Sequence, residues 1–176
     1  MEAQHGYRRP LARMSPAETT ESVLLPYGVW AVVSPWNFPS ALAAGMIAGA
    51  LLGGNTGVFK PALDAPVSGE LLCQAFWDAG LPRDALQLVH GPGSSVGEVL
   101  LADPRIAGVA FTGSSEVGMR IVRAAAEGAA GTGPRPEVVE MGGKNACLVT
   151  ATADLVAAAE AVARSAFGFG GQKCRA

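Results

Sequence analysis

Val109-Ala110-Phe111-Thr112-Gly113-Ser114-Ser115-Glu116-Val117-Gly118 opens as a short apolar run and turns, through Gly113 and Ser114, into a helix predicted over 115–126. A brief strand feeding directly into a helix start is one half of a strand–helix–strand unit. The same unit recurs on both sides. Upstream, 28–33 is strand-like and precedes a small-residue helix over 40–52. The next strand, 57–60, stops at Pro61. A helix over 67–79 follows, with Leu71, Leu72, Ala75, Phe76 and Ala79 at three/four spacing and Gly80 placed to cap it. A strand over 85–89 leads to a short helix over 94–101, closed by Asp103-Pro104. Downstream come a strand at 136–140, another at 146–149 and a helix over 154–166. Units repeated at this pace require a parallel sheet with helices on both faces, so the predicted fold class is α/β: a doubly wound, mostly parallel sheet of the nucleotide-binding type. Residues 1–22 are polar and without sustained periodicity. They read as a leader that packs on something outside itself or stays mobile.

Composition narrows the function classes. The chain has 176 residues, 49% apolar and 16% charged, which suits a folded domain with a sizeable core. Net charge is −2, from 13 basic and 15 acidic residues, with no basic stripe, so nucleic acid is not the expected partner. The apolar run 41–52 is too short to span a membrane and is interrupted by Gly45 and Gly49. Three cysteines, Cys73, Cys147 and Cys174, show no paired spacing, which argues for a reducing, cytoplasmic setting. Two histidines, His5 and His90, share no metal-ligand spacing with them, and no metal site is expected.

Several residues carry candidate chemistry. Cys174 sits between Gly170-Gly171 and the chain end in Gly171-Gln172-Lys173-Cys174-Arg175. A thiolate attacks carbonyl carbon well, although a lone cysteine in an α/β chain is more often structural. Asn37, in Pro35-Trp36-Asn37-Phe38-Pro39, follows a strand end, where open α/β sheets bind ligands. Its amide can donate to a developing oxyanion, or it is simply a turn residue between two prolines. Glu140 ends a strand beside Gly142-Gly143, as a general base or as an ordinary solvated carboxylate. Gly113-Ser114 opens a helix whose free N–H groups and dipole favour a phosphate. Gly91 to Gly97 looks like a dinucleotide fingerprint but has the wrong glycine spacing. Cys73, Cys147 and His90 read as structural, Cys147 within the strand at 146–149.

Pro35–Pro39, Phe111–Ser114, Glu140-Met141-Gly142-Gly143-Lys144 and Gly170–Cys174, in that order, together resemble the aldehyde dehydrogenase superfamily from about Pro26 onward. Lys144-Asn145 after the double glycine and the Gln172-Lys173-Cys174 tripeptide are most similar to its 1-pyrroline-5-carboxylate (glutamate semialdehyde) dehydrogenases. The resemblance implies an NAD(P)-dependent oxidation of an aldehyde. Cys174 would be the nucleophile that forms a thiohemiacetal and then a thioester, Asn37 an oxyanion donor and Glu140 the activator of water. It implies nucleotide contacts at Pro35, Trp36, Lys60, Gly93, Gly113, Ser114, Val117 and Met141, with NAD as cofactor and NADP open, since Leu63 stands where the family often has a ribose-binding glutamate. Arg175 stands where that branch usually has a serine. The implied division is a leader at 1–22, a nucleotide-binding domain at 23–143 and the start of a catalytic domain at 144–176. Because the family's fold continues past the nucleophile, the chain reads as a piece of a homo-oligomeric enzyme, inactive alone. The alternative is an inert nucleotide-binding module, the relic of a truncated gene.

Overall fold

The computed structural model describes residues 8–128 and 133–174, so His5 and Arg175 lie outside the described residues. Five parallel strands form the central sheet: β3 (Val29–Val33), β4 (Thr56–Lys60), β5 (Leu86–Leu88), β6 (Ile106–Thr112) and β7 (Glu137–Glu140), in spatial order β5-β4-β3-β6-β7. The chain starts in the middle, winds to one edge, then crosses back to build the other half. This is the doubly wound arrangement expected from the strand–helix rhythm. It places a topological switch point between β3 and β6.

Alternation along the strands supplies both cores. Val32 and Phe59 face α1 (Ala41–Leu52) and α2 (Pro66–Asp78), meeting Ala43, Ile47 and the fully buried Cys73. Ala31, Val109 and Phe111 face the other way, against α3 (Glu98–Ala102) and α4 (Ser115–Glu127), where Ile121 and Leu101 pack. Such two-sided burial explains why these strands are continuously apolar rather than alternating polar and apolar. Gly80 follows the C-cap of α2 at φ +98°, a conformation glycine adopts without a Cβ penalty. Arg135 is nearly buried, and its guanidinium donates to the carbonyls of Leu101, Asp103 and Ile106. It thereby satisfies carbonyl groups at the end of α3 and ties them to the start of β6.

Two expectations, the strand at 146–149 and the start of the helix at 94–101, are corrected. Residues 146–149 form no strand: Ala146–Val149 run without ladder bonds, and Cys147 is exposed. A strand exists only with a hydrogen-bonding neighbour, and none pairs with this segment among the described residues. The stretch read as a leader carries a short ribbon. Arg8–Pro10 (β1) pairs antiparallel with Glu21–Val23 (β2), with an Arg8–Glu21 ion pair at 3.4 Å. Three-residue strands are too short for any period to show in sequence. The helix expected at 94–101 begins as a wider π turn, Gly93–Gly97, before α3.

α5 (Leu155–Phe167) is capped by Asp154, whose carboxylate accepts from the N–H groups of Val156 and Ala157 at 2.9 and 3.1 Å. Leu155, Val156 and Phe167 on this helix are exposed. No helix among the described residues is long and apolar enough to cross a membrane.

Candidate active site

Parallel strands deliver all their carboxyl ends to one edge of the sheet, and the candidate residues arrive there from different strands. β3 ends at Val33 and runs into Ser34-Pro35-Trp36-Asn37. β6 ends at Thr112 and runs into Gly113-Ser114. Since β3 and β6 flank the switch point, their diverging loops open a cleft of about 560 Å³. Pro35, Trp36, Asn37, Gly113, Ser114, Val117, Met141 and Cys174 all line it.

A second cavity, about 150 Å³, lies over the face of the sheet that α3 and α4 cover. Lys60 and Gly93 line it with Ala31, Val33, Leu101 and Ile121. Val117 lines both spaces, so they meet at the first turn of α4. Lys60 is only 4% exposed, with Nζ donating to the Pro61 carbonyl at 3.0 Å; burial draws its ammonium below the usual lysine range.

Ser114 is the N-cap of α4. Its Oγ accepts from the N–H of Val117 at 3.3 Å, leaving the N–H groups of Ser115 and Glu116 for an outside acceptor. A helix start with spare donors, a neighbouring apolar cavity and a buried lysine at its wall fit a dinucleotide: donors for phosphate, an apolar slot for a base and an ammonium for hydroxyl groups.

The Cys174 segment is held by an unusual turn. Phe169, Gly170 and Gly171 follow α5 with φ of +59°, +61° and +73°. Two glycines accept this without strain, whereas Phe169 costs about 1–2 kcal/mol. The offset is aromatic packing: its ring stands 6.5 Å from Trp36 and 6.0 Å from Phe38. Nearby, Asn37 Nδ2 donates to the Gln172 carbonyl at 2.7 Å and Asn145 Nδ2 to the Cys174 carbonyl at 3.1 Å. An amide nitrogen carries two hydrogens, so Asn37 keeps one for another acceptor.

Glu140 stands apart. It ends β7 with an exposed side chain and lines neither cavity; its carbonyl accepts from the N–H of Gly113 at 3.1 Å. Cys147 and Cys174 are exposed, while burial and the nearby Glu70 carboxylate push the Cys73 thiol up to about 11. His90 Nε2 lies 3.0 Å from Glu70 at the surface. No cluster of three or more metal-ligating side chains occurs among the described residues. Sequence reading missed Phe169 as the anchor of the turn, the Gln172 carbonyl as Asn37's acceptor, and Asn145. The signal for the first was an aromatic set among glycines, and Asn145 stood only within the Lys144-Asn145 pair that carried the resemblance.

The model of the family described as "Aldehyde dehydrogenase family" matches residues 1–176. A 1-pyrroline-5-carboxylate dehydrogenase of Geobacillus thermodenitrificans (strain NG80-2) is 44% identical over 162 residues, covering 92% of this chain and 32% of that protein. A solved 1-pyrroline-5-carboxylate dehydrogenase from Thermus with bound NAD is 44% identical, with a TM-score of 0.89 over 98% of this chain and 34% of that one. An NAD-dependent benzaldehyde dehydrogenase from Corynebacterium glutamicum is 35% identical, with a TM-score of 0.86 over 98% of this chain and 36% of that one. The chain thus spans about a third of the length of these relatives.

Proposed function

Since the chain belongs to the aldehyde dehydrogenase family, we propose that it is the nucleotide-binding and nucleophile-bearing part of an NAD(P)-dependent dehydrogenase that oxidises glutamate semialdehyde to glutamate in proline breakdown. Residues 23–143 form the nucleotide-binding part and 144–176 open the catalytic part. The observation that carries this reading is the convergence of Cys174, Asn37 and Ser114 on one cleft at the strand ends. The names of relatives 44% identical to the chain support the substrate.

In this reading the Cys174 thiolate adds to the aldehyde carbon, forming a C–S bond and a negative oxygen. The free N–H of Asn37 and the backbone N–H of Cys174 stabilise that oxygen. Ser114 and the start of α4 hold a pyrophosphate, Lys60 holds a ribose, and Val117 packs on the nucleotide beside Gly93. Pro35, Trp36, Gly113 and Met141 complete its walls. A nicotinamide held there would supply the hydride acceptor, and the chain supplies position and electrostatics. Glu140 takes a proton from the water that hydrolyses the thioester, after its side chain turns toward the cleft. The cytoplasm, suited to three free cysteines, is the proposed setting, and the whole protein is a homo-oligomer.

The test is glutamate-semialdehyde-dependent reduction of NAD, followed at 340 nm, on the longest polypeptide that the gene encodes. Cys174→Ala serves as control. Activity that survives this substitution overturns the reading. The exposure of Cys174 and Glu140 supports a second reading, in which the 176-residue chain alone binds nucleotide without turning over aldehyde. Nucleotide binding with no NADH production by the isolated chain is the outcome that favours it.

A further inference from the structure

Two side-chain amides hold the backbone on either side of the Lys173–Cys174 peptide. Asn37, from the loop after β3, donates to the carbonyl of Gln172 at 2.7 Å. Asn145, from the segment after β7, donates to the carbonyl of Cys174 at 3.1 Å. These carbonyls belong to the peptide groups before and after the Lys173–Cys174 peptide. That middle peptide carries the Cys174 N–H. Fixing the planes on both sides of it restricts the rotations that aim this N–H. The segment bearing Asn145 runs directly alongside, since a β-carbon on Gly143 would stand 3.5 Å from the same Cys174 oxygen.

We infer that Asn145 is a positioning residue for the nucleophile: its amide, with that of Asn37, clamps the Gln172–Cys174 backbone so that the Cys174 N–H faces the oxygen of a carbonyl under attack. The inference rests on the reading of Cys174 as the nucleophile. Asn145 lines neither cavity, so it touches no molecule bound there and acts only through Cys174. It lies on the segment that continues from β7, which links Glu140 to the nucleophile through a few residues of backbone. Asn37 has a share in the cleft itself; Asn145 has none, which makes its contribution separable.

Two probes of different chemistry separate the clamp from the thiol. In p-nitrophenyl acetate the thiolate attacks the ester carbonyl, a C–S bond forms, and p-nitrophenolate leaves with the electron pair of the broken C–O bond. The carbonyl oxygen becomes negative on the way, so the rate depends on the aimed N–H. With iodoacetamide the thiolate displaces iodide and no oxyanion develops. Both rates are measured on the longest polypeptide that the gene encodes, with the modified cysteine located by peptide mass spectrometry.

Asn145→Ala is expected to slow acylation of Cys174 about tenfold, because misaim of a donor by a fraction of an ångström is costly, while alkylation changes less than about twofold. Lys144→Ala, in the same segment, is expected to leave both rates alone. Unchanged acylation in Asn145→Ala overturns the inference. So does a parallel fall in both rates, or an equal loss in Lys144→Ala, since either assigns the effect to the loop rather than to the amide. If the unsubstituted chain acylates Cys174 no faster than the exposed Cys147, the nucleophile reading itself falls.

Discussion

Asn37 and Gln172, separated by 135 positions in the chain, are joined by a 2.7 Å hydrogen bond from the amide nitrogen of the first to the carbonyl oxygen of the second. The bond ties the loop leaving the first strand of the sheet to the segment carrying Cys174. A contact at that separation closes nearly the whole chain into a loop, and the entropy of such closure grows only slowly with length. It is therefore sustainable by few contacts, here this bond and the Phe169 ring beside Trp36 and Phe38.

Asn37→Ala removes both the tie to Gln172 and the spare N–H. Acylation of Cys174 by p-nitrophenyl acetate is expected to fall by about a hundred- to a thousandfold. Because the bond is at the surface, stability in urea denaturation should change by only about 0.5 kcal/mol or less. A large loss of stability would recast Asn37 as a structural residue.

Lys60→Met tests whether the buried ammonium serves the fold or a ligand. A desolvated cation held by one carbonyl contributes little to stability, and a methionine of similar length fills its space. The melting temperature should stay level or rise, while calorimetric affinity for NAD falls about tenfold or more. Unchanged affinity would remove Lys60 from the nucleotide site.

Cys73 gives a pH dependence whose sign follows from its environment. The folded thiol is raised from 9.0 to about 11, so between these values the unfolded chain has released a proton that the folded chain retains. The stability due to the neutral buried thiol is complete below pH 9 and is lost as pH rises through about 11, by at most about 3 kcal/mol. Urea denaturation at pH 8 and pH 10.5 should show the gap between the native chain and Cys73→Ala narrowing at the higher pH. A constant gap would contradict this.

Gly108→Ala should be among the most destabilising single-methyl changes. An added β-carbon would lie 2.6 Å from the Trp30 ring, across the β3–β6 pair at the centre of the sheet. The half-buried indole or the paired strands must shift to make room, and a loss of about 1–3 kcal/mol is expected in chemical denaturation. A neutral effect would mean that Trp30 has room to move.

Much of the fold was legible because its signals are local. Continuous apolar strands, three/four helix spacing and a glycine after α2 each act within a few residues, and together they specify a parallel, two-sided sheet. Ala146–Val149 misled because its composition suits a strand, while strand formation needs a partner that the local sequence does not name. The β1–β2 ribbon escaped notice for the opposite reason, being made of pairing with almost no pattern.

The site divides in the same way. Motif order alone brought Cys174, Asn37, Glu140 and Ser114 forward as candidates, since their residue types and spacing are written in the chain. Which of them meet was decided by the sheet. The strand order placed the loops of β3 and β6 across one cleft and left the Glu140 side chain outside it. The acceptors of Asn37 and Asn145 are backbone carbonyls, which every residue possesses and no sequence pattern distinguishes. Local propensity, turn chemistry and periodicity are short-range and can be read along the chain. The convergence of groups more than a hundred residues apart depends on register, crossover and loop closure, which exist only once the chain has folded.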